Sequence, residues 1–174
     1  MTRTVILLRG INVSGKNKVP MAKLREVLTT AGFDDVATYI QSGNIAVDTN
    51  LDYEEMLSRI EALLVEHFDV DVPAVAVAQS DIAALEAGAP FSEDADPATS
   101  MIYFPLDEVD VAGVSAIEPE RHPGDTITPT ANAVYVFYGR GQSKTKLTLN
   151  HLERAARTTL TGRNLRSVAK LREL

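Results

Sequence analysis

Two short segments concentrate the residue types that hold anions. Gly10-Ile-Asn-Val-Ser-Gly15-Lys16-Asn17 has the G-x-x-x-x-G-K spacing of a phosphate-cradling loop and follows an apolar run, as such a loop should. The pattern fails at its last position, where Asn17 replaces the Ser or Thr hydroxyl that would hold magnesium. Pro20 also moves the helix start several residues along, so a P-loop hydrolase is disfavoured. A looser role survives: a glycine-containing loop flanked by Arg9, Lys16 and Lys18 can present backbone N–H groups and cations to a phosphate. A flexible connector with solvated lysines accounts for the same residues. The second segment, Ser143-Lys144-Thr145-Lys146, precedes a helical pattern whose first N–H groups and dipole favour anions. Lysines there oppose the dipole, which makes them easier to explain as ligand contacts than as stabilisers.

Other chemistries find little support. The three histidines, His67, His122 and His151, lie far apart with none of the spacings typical of metal sites, and each reads as structural. No G-x-S-x-G elbow gives Ser14, Ser42 or Ser143 the setting of a nucleophile. The absence of cysteine excludes disulfides, thiolate zinc sites, iron–sulfur clusters and cysteine nucleophiles. No cofactor and no metal is expected. Tyr135, Phe137 and Tyr138 read as core packing, and the early strands lack the aromatics with which an RNA-recognition domain stacks bases.

Charge is distributed unevenly over the 174 residues. The net charge of −7 argues against a polyanionic partner on average. Residues 1–25, however, carry six basic side chains and no acidic one, and residues 126–174 carry nine basic against two acidic. Residues 51–125 hold eighteen acidic side chains against two basic. An anion would find its place at the basic ends. The longest early apolar run, Val5 to Leu8, is too short for a signal-peptide core, and no stretch approaches the roughly 20 residues a bilayer requires. The expectation is a cytoplasmic protein with no membrane partner.

The elements that must position these segments follow from periodicity. TVILLRGI reads as a buried strand, and Met21, Leu24, Val27, Leu28 and Ala31 recur at helical spacing until Gly32. VATYIQ and NIAVD form a hairpin about Ser42 and Gly43. Asp52 and Glu55 resemble a capping box ahead of the apolar stripe Tyr53, Met56, Leu57, Ile60, Leu63, Leu64 and Phe68. PAVAVA makes another strand, so residues 1–80 read β-α-β-β-α-β, a ferredoxin-like subdomain. Residues 81–174 read as a second α+β subdomain, with the junction at 79–99. Its strands are expected at MIYFP, DTITP and AVYVFY, and two helices close the chain. No internal sequence repeat is visible.

The segments LLRGINVSGKNKVPMAKLR, GFDDVATYIQSGN, SKTKLT and TGRNLRSVAKL closely resemble the bacterial family named domain of unknown function 1697. The similarity spans nearly the whole chain, with Ser14 where the family typically has glycine and Leu165 where it has an aromatic. The resemblance implies a two-part α+β fold with a ferredoxin-like first half, and it implies no reaction. Its polar motif residues, Arg9, Asn12, Lys16, Asn17, Gln41, Ser42, Asn44, Lys144, Lys146 and Asn164, become ligand-binding candidates, together with Lys18 from the charge pattern. Turns and caps would explain Asn12, Ser42, Asn44 and Asn164 as well. The leading expectation is a binding module for a phosphate-bearing ligand, either nucleic acid or a nucleotide. An enzyme acting on a small anionic metabolite and a self-association module are the alternatives, and the oligomeric state is left open.

Overall fold

A computed structural model describes residues 1–174. The chain divides into two compact units, Met1–Ala83 with Lys170–Leu174, and Ala84–Ala169.

The first unit contains β1 (Thr2–Leu8), α1 (Met21–Thr30), β2 (Asp34–Tyr39), β3 (Asn44–Thr49), α2 (Tyr53–Phe68) and β4 (Ala74–Ala78). Its sheet has the order β2-β3-β1-β4 with antiparallel neighbours throughout, which is the ferredoxin-like arrangement. Helix α2 forms for the reasons the pattern gives. Asp52 accepts a hydrogen bond from the Glu55 N–H at 2.8 Å, and Met56, Ile60 and Leu64 fall on one buried stripe. These side chains join Leu24 and Leu28 of α1 and Ile6, Leu8, Ile45 and Val47 of the sheet in a single core. Val5, Leu7 and Ala46, which alternate with that set, are fully buried too. A strand buried on both faces has no polar face to show, which is why β1 reads as an unbroken apolar run. Tyr39 pairs with Asn44, so the hairpin loop is the four residues 40–43 and not the two expected. The last residues of the chain also belong here: the carbonyl of Leu174 accepts from Arg3 Nε at 3.1 Å and from Gln79 Nε2 at 2.9 Å.

The second unit repeats this topology. After α3 (Gln79–Ala87) come β5 (Ser100–Pro105), the five-residue α4 (Val111–Ser115), β6 (Asp125–Thr130), β7 (Ala133–Tyr138), α5 (Leu149–Ala156), β8 (Leu160–Asn164) and α6 (Leu165–Leu171). The sheet order is β6-β7-β5-β8, again antiparallel throughout. The two closing helices are present, but a strand separates them. Leu160-Thr-Gly-Arg-Asn164 has no apolar alternation, and it becomes a strand by pairing with β5, with Tyr103 opposite Gly162. Its apolar neighbours and those of α4 and α5 form a second core around Tyr103, Val134, Val136 and Leu152.

Candidate anion-binding site

In the first unit, the segment that resembles a phosphate loop folds into a minute hairpin. Lys16 N–H donates to the Val13 carbonyl at 2.9 Å and Asn12 N–H to the Asn17 carbonyl at 3.0 Å. Ser14 and Gly15 both have positive φ (49° and 78°), the signature of a type I′ turn, which glycine adopts without strain. Two of the N–H groups that a phosphate would need are thus turned inward onto the hairpin's own carbonyls. The candidate side chains here divide by role. Asn12 Nδ2 donates to the carbonyls of Val19 and Gln41 at 2.9 and 2.8 Å, while its Oδ1 accepts from Val19 N–H at 2.9 Å. Asn17 Nδ2 donates to the Gly10 carbonyl at 2.9 Å. Asn44, fully buried, donates to Ser42 Oγ and to the Tyr39 carbonyl. These amides knit loops together. Arg9 is half-buried at the end of β1, with its N–H on the Pro73 carbonyl. Lys16, Lys18 and Gln41 are exposed.

The second unit carries the better-formed site. A cleft of about 560 Å³ opens between the loop that leads into β6, the turn after β7 and the start of α5. The loop gives Glu120, Arg121 and His122, and β6 opens with Asp125. Arg140 follows β7, Lys144 and Lys146 come from the next turn, and His151 lies in the first turn of α5. Local sequence explains the convergence. A side chain at Gly139 would place its Cβ 2.2 Å from the Gly124 carbonyl, so only glycine allows the two turns to approach, and Gly139 N–H donates to that carbonyl at 3.1 Å. Thr145 bridges the same turns by donating its hydroxyl to the Asp125 carboxylate. Thr148 caps α5 by accepting from His151 N–H at 3.2 Å, so the first turn of the helix, which carries the positive end of its dipole, is fixed where His151 lines the cleft.

The charges lining the cleft are unequal in sign. Arg121 is paired with Glu118, but Arg140, Lys144 and Lys146 make no ion pair within the fold. Asp125 is engaged by Thr145, leaving Glu120 as the other carboxylate of the lining. His122 is 5% exposed and neither of its ring nitrogens has a hydrogen-bond partner. Its ring centroid lies 5.8 Å from that of His151. Beside Asp125 in the ladder stands Tyr138, whose hydroxyl is 2.7 Å from that of Tyr103. Burial raises both phenols above their ordinary value, Tyr138 the further because Tyr103 and Asp125 add to the effect, so both are neutral at physiological pH.

Of the residues singled out in the sequence, Lys144 and Lys146 line this cleft, whereas Asn164 does not. Its Oδ1 accepts from Ser167 N–H at 2.9 Å and caps α6. His122 and His151, which read separately as structural, stand together at the cleft, and Arg121 and Arg140 join them. The run Arg140 to Lys146 was a visible charge signal, but nothing in the spacing of the histidines announces their meeting.

The family model described as "Protein of unknown function (DUF1697)" matches residues 1–135. The chain belongs to the DUF1697 family. The matched stretch of this DUF1697 chain covers Met1–Ala83 of the first unit and the loop from Glu120 to Asp125, while Arg140 to His151 lie beyond it. The conserved bacterial protein SP0830 from Streptococcus pneumoniae has a similar structure, with a TM-score of 0.78 and 27% identity over 99% of this chain and 97% of that one. That likeness supports the two-part α+β fold of the DUF1697 chain. No curated protein matches it. No helix is long and apolar enough to cross a membrane.

Proposed function

We propose that the protein binds a phosphate-bearing small molecule of nucleotide size, and that the cleft of the second unit is where it does so. The observation that carries this reading is the set of three cations without ion-pair partners, Arg140, Lys144 and Lys146, around one cavity of about 560 Å³. Pockets of roughly 300–1,000 Å³ suit small ligands, which favours a nucleotide over a length of nucleic acid. Unpaired cations gathered at a concave surface lower the potential energy of an incoming anion more than they would on an open face. The overall charge of −7 repels polyanions elsewhere and so supports a local site over a broad nucleic-acid track.

Calorimetric titration with AMP and with adenosine tests the proposal. AMP is expected to bind with an affinity that falls as salt rises, and adenosine is expected not to bind. Lys144→Ala and Lys146→Ala should each weaken AMP binding about tenfold, the loss of one charge-assisted contact worth ~1.4 kcal/mol. Lys16→Ala should leave it within about twofold, since the Lys16 hairpin is a different site under this reading. Equal binding of AMP and adenosine, or indifference to Lys144 and Lys146, would refute it.

A further inference from the structure

The cleft contains one polar side chain that the fold itself leaves unsatisfied. His122 is nine-tenths buried, lines the cavity and makes no hydrogen bond through either ring nitrogen. Buried polar groups are nearly always paired, and an exception calls for a reason. The neighbouring backbone supplies none, because the His122 N–H and carbonyl are already used, on Pro119 and Asp125 respectively.

The surroundings of the ring indicate what would satisfy it. On its own loop stand Glu120 and Arg121, the latter paired with Glu118. Asp125 at the start of β6 is held by Thr145. Arg140 and the two lysines line the same cleft from the turns after β7, and the ring of His151 on α5 lies beside that of His122. The cations of the cleft outnumber its carboxylates, of which Asp125 is already engaged by Thr145 and Glu120 is the other. An anion entering the cleft reverses that balance, because a nearby negative charge favours the protonated ring. A neutral imidazole has one donor and one acceptor, whereas an imidazolium has two donors, and phosphate oxygens are acceptors.

We infer that His122 is a phosphate-contacting residue of the cleft, and that its ring takes up a proton from solution as the phosphate binds. The inference rests on the cleft being the ligand site, and it adds the kind of ligand: a phosphate dianion, such as a terminal monoester, held by an imidazolium and the neighbouring cations. The sign follows from linkage. A complex that contains one more proton than its separated components weakens as pH rises.

The test is calorimetry on the full chain with AMP as the probe, in buffers of different ionisation enthalpy at about pH 7.5, where the AMP phosphate is already mostly dianionic and uptake reports the protein. Plotting observed enthalpy against buffer enthalpy gives the protons absorbed. Between about half and one proton per AMP is expected for the native protein. His122→Gln, which can hydrogen-bond but cannot titrate, should bind AMP about tenfold more weakly with no uptake, and His122→Leu more weakly still. Lys144→Ala should lose affinity yet keep the uptake, and so should His151→Asn. Native binding without uptake, uptake that persists in His122→Gln, or uptake lost only in His151→Asn would each overturn the role of His122 while leaving the cleft as a binding site. No AMP binding by the native protein, with its fold confirmed by circular dichroism, would remove the site and this inference with it.

Discussion

An imidazole that water would satisfy in the unfolded chain goes unpaired at His122 in the folded one, so the native state alone bears the cost. Replacing it with leucine, similar in bulk and free of polar atoms, is expected to raise the unfolding free energy of the ligand-free protein by about 1–2 kcal/mol, read as a higher urea midpoint at unchanged slope. A lower midpoint would mean that the ring is already satisfied. The same substitution weakens AMP binding in the inference above, so stability and affinity should move in opposite directions. At this scale the sequence was partly legible. Lys144 and Lys146 stood out because like charges gathered beside a helix start. His122 did not, since a histidine next to proline on a loop looks the same whether it faces water, a core or a ligand.

Among the elements, the hairpin of residues 10–19 shows how a suggestive pattern can serve structure. Asn12 holds three backbone groups at once, two carbonyls and one N–H. Asn12→Ala should therefore destabilise the protein by about 2 kcal/mol, whereas Lys16→Ala, exposed at the hairpin turn, should change stability by no more than about 0.5 kcal/mol. Urea denaturation of the two variants side by side checks both, and equal effects would contradict the clamp. Fold legibility varied with the physics behind each element. Helix α2 was readable because capping and periodicity agree at Asp52 and along Met56, Ile60 and Leu64. Strand β8 was not, because Thr161, Gly162 and Arg163 become strand only through β5, and pairing with a distant partner leaves no local mark. The hairpin at Tyr39 and Asn44 was placed correctly but its loop came out longer, since Asn44 uses its side chain to close the turn from inside the strand.

For the whole molecule, the two units share one topology although no repeat is visible in the sequence, as expected where burial pattern and strand order, more than particular residues, define a fold. In the second unit Tyr103 and Tyr138 have folded values raised above the ordinary 10.0, so the stability they contribute is complete below that pH and is lost as pH rises through the folded values. Burial lowers Arg163 to about 10 from 12.5, which works the other way: in that window the unfolded state binds the extra proton, and stability gains with pH. The two tyrosines outweigh the single arginine, so the urea midpoint is expected to fall above about pH 10. Tyr138→Phe should make that fall shallower, and a midpoint flat to alkaline pH would count against the buried phenol pair. The interleaving of the units has a further consequence for how the protein is made. Because Lys170–Leu174 pack with Met1–Ala83, the first unit is discontinuous along the chain. A ribosome working from one end can finish the inserted second unit as a continuous stretch, while the unit begun first waits with Arg3 and Gln79 lacking their carbonyl partners until the closing segment emerges. Order of synthesis and order of completion are therefore reversed.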